Sequence, residues 1–165
     1  MYLTVKHQPK LSKYEYDTLL ELCRYAKNLF NEGLYNCRQY YFSESGYLNY
    51  ERNYRLLKDS DNYRMLNSNM AQQILKEVDG SFKSFFGLLM LARTGKYSFK
   101  DIRLPQYLKK DSYFALVIGF VRLQDNKLLI PMSNSFRKTH KKIEIVLPPI
   151  LLDKTVKEIR IIPKS

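Results

Sequence analysis

The hydrophobic period of this 165-residue chain changes once, and that change decides what the chain can fold into. In the first half the apolar residues recur at three and four. Leu19, Leu22, Cys23, Ala26, Leu29, Phe30, Gly33, Leu34 and Cys37 form one stripe, and Ala71, Ile74, Leu75, Val78, Phe82, Phe85, Phe86 and Leu89 form another. Spacing of that kind puts the apolar side chains on one face of an α-helix. From Tyr113 onward Val, Ile, Phe and Leu come in short runs. The segments 142–145 and 156–161 alternate apolar with polar, as half-buried strands do.

Local signals sharpen the boundaries. Tyr2–Lys6 reads as a short strand closed by Pro9. Ser12 and Glu15 have the spacing of a capping box, so a long helix starts there and runs to about Tyr41, before the break at residues 43–46. A shorter helix covers Tyr50–Leu57, residues 59–62 form a loop, and Ser68 is placed to cap the third helix, which Thr94-Gly95 ends. Asp125-Asn126 reads as a hairpin turn. The expected fold class is α+β: a small antiparallel β-barrel or sheet, begun by the N-terminal strand, with a three-helix block inserted. The length suits one such domain. No repeat or low-complexity tract is visible.

Charge then constrains function. The chain has 28 Lys and Arg against 16 acids, a net +12, with 14 Tyr, 9 Phe and no Trp. Residues 94–165 alone have 15 basic and 6 acidic side chains, hence +9 of the +12. Cations neutralise phosphates and aromatic rings stack on bases, so the composition points to a nucleic-acid binder. The competing reading is an ordinary basic protein whose tyrosines are core. No run approaches the roughly 20 apolar residues that span a bilayer, and the N-terminus lacks the apolar core of a signal peptide, so a cytoplasmic protein without a membrane partner is expected. Cys23 and Cys37 fall on the apolar stripe and read as buried thiols.

Two basic stretches are the binding candidates. Arg137, Lys138, His140, Lys141 and Lys142 make a dense turn between strands, suited to phosphate contact. Lys96, Lys100, Arg103, Lys109 and Lys110 are interleaved with Tyr97, Phe99, Tyr107 and Tyr113, as befits single-stranded or A-form nucleic acid. In the third helix Gln72, Lys76, Asp79 and Lys83 are expected opposite the apolar stripe, and a glutamine can read adenine in a major groove. Catalytic patterns are missing: no HExxH, CxxC, Walker A or GxSxG is present, and His7 and His140 have no ligand-like neighbours. Asp59, Asp61, Glu77 and Asp79 read as solvated acids and caps. Neither an enzyme nor a cofactor is expected.

The runs AKNLFNEGLYNCRQYYF, MAQQILKEVDGSFKSFFGL and LPPILLDKTVKEIRIIPKS, in that order, resemble the N-terminal part of the TnpB (OrfB-type) proteins of small insertion sequences, which are related to type V CRISPR nucleases. The AQQ…FKSFF pattern is the most specific, and the resemblance covers essentially the whole chain. It implies a wedge β-barrel (residues 1–10 and 96–165) interrupted by a helical recognition lobe (residues 11–95). It also implies partners: a guide RNA transcribed from the transposon end, and double-stranded DNA carrying a short motif beside the target. The positions matching the family's motif readers are Tyr50, Tyr54, Ser68 and Gln72, with Lys76 one turn further on; Ser68 stands where other members have Lys. RNA contacts are assigned by charge to Lys109, Lys110, Arg137, Lys138, Lys141 and Lys142, with Tyr113 and His140 among them. The sequence given stops at Ser165, ahead of the family's RuvC-like domain, which would hold the catalytic carboxylates and Mg²⁺. The expectation is therefore a binding region without its nuclease. Alternatives are a helix-turn-helix regulator, a basic protein-interaction domain, and, least favoured, a hidden nuclease.

Overall fold

The computed structural model describes residues 1–164. Among the described residues five α-helices and five short strands follow one another: α1 (Lys13–Glu44), α2 (Tyr50–Leu57), α3 (Asp61–Arg64), α4 (Ser68–Arg93), β1 (Leu116–Ile118), β2 (Leu123–Gln124), β3 (Lys127–Leu129), α5 (Asn134–Arg137), β4 (Glu144–Val146) and β5 (Ile159–Ile161). The chain is α+β. Among the described residues no helix is long and apolar enough to cross a membrane.

α1 starts where the capping box places it. Ser12 Oγ accepts from Glu15 N at 3.1 Å, and Glu15 Oε1 accepts from Ser12 N at 3.0 Å. Its stripe packs against that of α4, and the two long helices form the scaffold. They pack tightly at Gly33, where a Cβ would sit 3.0 Å from Leu75 Cδ2 and 3.3 Å from both Val78 Cγ2 and Asn53 Nδ2. Asn53 itself is 2% exposed. Its Nδ2 donates to Gly33 O (3.1 Å) and Cys37 Sγ (3.5 Å), and its Oδ1 accepts from Asn36 Nδ2 (3.1 Å). One buried amide thus ties α2 to α1 at the point where α4 crosses. Further along, Tyr41 meets Phe85 and Phe86 edge-on at 5.4 and 5.7 Å. Gly95, at φ +77°, stops the chain after α4 in the left-handed region that suits glycine.

The strands form two small antiparallel sheets. β1 pairs with β5, matching Leu116 with Ile161 and Ile118 with Ile159. β3 is central in the second sheet, with Leu128 opposite Leu123 of β2 and Ile145 of β4. β1 is buried at all three residues because it packs on α4 and α1. Arg160 ties β5 to α4 through Glu77 at 3.7 Å.

Four expectations need correction. Neither sheet closes into a barrel: strands of two and three residues are too short for the staggered ladder that closure needs. Tyr2–Lys6 is not a strand; it is exposed on both faces and has no ladder partner, and a lone strand gains nothing by ordering. The helical block has four helices, because Ser60 caps the one-turn α3 inside the expected loop. The cap of α4 is Asn67, whose Oδ1 accepts from Asn69 N and Met70 N, and Ser68 is the first helical residue.

Candidate nucleic-acid interface

Tyr50, Tyr54, Gln72 and Lys76 meet along the seam between α2 and α4. Tyr50 and Tyr54, one turn apart, stack with centroids 6.2 Å apart. The Lys76 ammonium sits 5.7 Å from the Tyr50 ring centroid. Tyr54 meets Tyr63 of α3 edge-on at 6.1 Å. The side chain of Gln72 lies near the Tyr63 hydroxyl. Burial, with the neighbouring Tyr54 and Glu51 adding to it, holds the Tyr50 hydroxyl above its ordinary range; burial does the same to Tyr63, partly countered by Gln72. Both phenols stay neutral at physiological pH and keep their hydroxyl protons to donate. Ser68, Gln72 and Lys76 are spaced four apart, so they form one line on α4. Lys76 and Ser68 are exposed, and Gln72 is half-buried.

Asp79 does not extend that polar line. It is 7% exposed and lies beside Val78 and Phe82 of the apolar stripe. It is three residues past Lys76, a rotation of about 300° round the helix, which returns it toward the core. The Tyr47 hydroxyl donates to its carboxylate, and Lys83 Nζ pairs with it at 2.9 Å. Burial and this anion push the Tyr47 hydroxyl well above its usual range.

Residues 105–113 of the one basic stretch and the turn 137–142 of the other dock on one helix, α1. Residues 105–113 run along it as a strap. Asn31 holds the Leu108 backbone from both sides, accepting from N at 2.9 Å and donating to O at 3.0 Å. Arg38 donates to Pro105 O (2.7 Å) and Lys27 to Lys110 O (2.9 Å). Arg24 lies 5.9 Å from the Tyr113 ring and donates to its hydroxyl at 3.5 Å. The side chains of Lys109 and Lys110 remain exposed.

The second stretch, residues 137–142, begins in α5 and lies against the start of the same helix. His140 stacks on Phe136 at 3.8 Å, and its Nε2 faces Glu21 Oε2 at 2.9 Å. Its Nδ1 lies 2.9 Å from Thr139 Oγ1 and 3.1 Å from Phe136 O. This corrects the reading of His140 as a phosphate contact: both ring nitrogens are engaged and one ring face is covered, so it anchors the turn. Lys141 N donates to Tyr14 OH (2.7 Å), and its ammonium lies 5.9 Å from that ring. Lys142 pairs with Glu144 at 2.8 Å on an exposed surface, where such a pair is weak. Arg137 and Lys138 project outward and are exposed.

Sequence reasoning missed a second aromatic and cationic group. Arg38 lies 4.9 Å from the Tyr107 ring and 5.7 Å from that of Phe42. Arg52 lies 5.1 Å from the Tyr40 ring and donates to its hydroxyl. The available signal was the spacing of Tyr35, Arg38 and Phe42 on the polar side of the α1 stripe. Cys23 and Cys37 are buried thiols, each pushed up to about 12, by burial in Cys23 and by burial with the nearby Asp79 charge in Cys37. Among the described residues no three His, Cys, Asp or Glu side chains are grouped to hold a metal ion. Compared with known proteins, the chain matches no protein-family model and no curated protein.

Proposed function

We propose that this chain is a non-catalytic nucleic-acid-binding unit that acts as the wedge and recognition region of a TnpB-like, RNA-guided transposon protein. The observation that carries this reading is the α2–α4 seam. Two stacked tyrosines, a glutamine and a lysine from separate helices converge on one line, with the lysine over an aromatic face. That is the equipment for a short duplex motif: a cation for the phosphates, an amide and phenol hydroxyls for base edges. The basic strap and turn, side by side on α1, would hold the backbone of the guide RNA through Lys109, Lys110, Arg137 and Lys138. On this reading residues 96–164, with the N-terminal segment, form the wedge.

Gln72→Ala tests the assignment. A bidentate amide contact discriminates between bases by about 1–3 kcal/mol. In a full-length, cleavage-dead context with guide RNA, a motif-library selection should show preference at one motif position relaxed by about tenfold, with RNA affinity unchanged. An unchanged motif profile would leave Gln72 as a packing partner of Tyr63 and remove the seam from the account.

A further inference from the structure

An open cavity of about 580 Å³ lies beside α1 and is lined by none of the seam residues Tyr50, Tyr54, Gln72 and Lys76. Its lining includes Asn28, Glu32, Tyr35, Asn36, Asn62 and Tyr107. Tyr35 and Tyr107 are 55% and 43% exposed, unusual for large aromatic side chains that also border a cavity. The polar groups are already ordered: Asn28 Nδ2 donates to Asn62 Oδ1 at 3.3 Å, Asn62 donates to Glu32 Oε1, and Asn36 Nδ2 donates to Asn53. What this chain of bonds leaves over is acceptor capacity. Among the described residues no donor reaches Asn28 Oδ1 or Asn36 Oδ1, and Glu32 Oε2 is buried without a partner. A buried carboxylate oxygen with no donor is costly in isolation, and native structures generally supply one.

Two exposed phenol rings, a wall rich in acceptors and a cation next door suit one kind of guest. Arg38, stacked on Tyr107, supplies the cation. The guest should be flat and aromatic, offer adjacent N–H donors, and carry a phosphate. We propose that this groove binds an unpaired guanine of a single-stranded nucleic acid. Its ring would stack on Tyr35, since Arg38 already lies over Tyr107; its N1–H and N2 amino group would donate to the Glu32 and asparagine oxygens, and its phosphate would lie toward Arg38. Guanine is the base whose Watson–Crick edge sets two donor nitrogens side by side, so an acceptor wall selects it over uracil, and over adenine and cytosine with one amino group each. The proposal rests on the nucleic-acid-binding reading and adds a base-specific contact outside the seam.

Fluorescence anisotropy with labelled eleven-nucleotide oligouridines provides the test, on a strand carrying guanine, inosine, adenine or uracil at its centre. The guanine strand should bind about tenfold more tightly than the adenine and uracil strands, with inosine, which lacks the N2 amino group, in between. Glu32→Gln should erase the guanine preference while keeping binding to oligouridine. Tyr35→Ala, at a site too exposed to disturb the fold, should weaken the guanine strand by about tenfold. Equal affinity for all four strands, or an unaffected Tyr35→Ala, overturns the guanine groove and leaves the general reading standing. No binding of any strand at low salt overturns the general reading itself. Free GMP binding as tightly as the guanine strand would show that the groove serves a nucleotide rather than a strand and would also overturn the proposal.

Discussion

Asn53→Ala isolates the buried amide that holds α2 to α1. In the parent, Asn53 makes three hydrogen bonds at 2% exposure, to Gly33 O, Cys37 Sγ and Asn36 Nδ2. Each net bond is worth about 1 kcal/mol, and the one to sulfur less. The Gly33 carbonyl keeps its helical partner, and Asn36, which is half-buried at the cavity edge, turns to water and recovers part of its share. The small void left beside Leu75 and Val78 adds back a similar amount. The sum is about 2–3 kcal/mol, which for a domain of this size lowers Tm by roughly 5–10 °C. Urea and thermal melts followed by circular dichroism measure it. Arg55→Ala, exposed on the same helix, is the control and should stay within about 0.5 kcal/mol of the parent. Because α2 presents Tyr50 and Tyr54, Asn53→Ala should also weaken motif-containing duplex more than non-specific RNA. An Asn53→Ala protein that melts with its parent would mean that the amide is dispensable and that the α1–α2 junction is held by apolar contact alone.

Three further outcomes follow from the same geometry. Cys23 and Cys37 should resist a thiol-specific reagent at about pH 8 in the native state and react together once the chain is unfolded. The folded pKa of each lies above the unfolded value, so the stability linked to both thiols is fully present below about pH 9 and is lost as pH rises toward about 12, a decline that alkaline melts should trace. Neutralising Arg137, Lys138, Lys141 and Lys142 together should lower RNA affinity without altering sequence preference, with Arg137→Ala plus Lys138→Ala giving most of the loss; equal affinity of the double variant and the parent would dismiss the turn as an RNA contact.

What could be read from the residues was local. The Ser12–Glu15 capping box, the bounds of α2 and the stop at Thr94-Gly95 depend on interactions within a few residues, and each is found where its signal put it. The Asp125-Asn126 turn likewise has φ of +50° and +58°, as a tight hairpin requires. What failed was non-local. Residues 2–6 have the composition of a strand, but composition cannot supply a neighbouring ladder. Asp79 sits one register step from a polar face, and only the packed position of Tyr47 shows why a carboxylate can be buried there. The strap is invisible in sequence because its bonds run through backbone groups of residues 105–110 to side chains more than sixty positions earlier. Of the proposed site, helical spacing aligns Tyr50 with Tyr54 and Ser68 with Gln72 and Lys76, while their choice as motif readers rests on the family resemblance. His140 was misread because its partner, Glu21, lies 119 residues away.

The most direct test of the central claim is the salt dependence of binding to structured RNA. Residues 94–165 hold a net +9, set by 15 basic against 6 acidic side chains. If the strap and the turn together neutralise about six phosphates, affinity should fall by about 10³ between roughly 50 and 200 mM salt. The log–log plot should be a straight line, shallower by about one for each of Lys109, Lys110, Arg137 and Lys138 that is neutralised. A slope near zero, or no RNA binding at the lowest salt, would contradict the account and leave the positive charge without a nucleic-acid role.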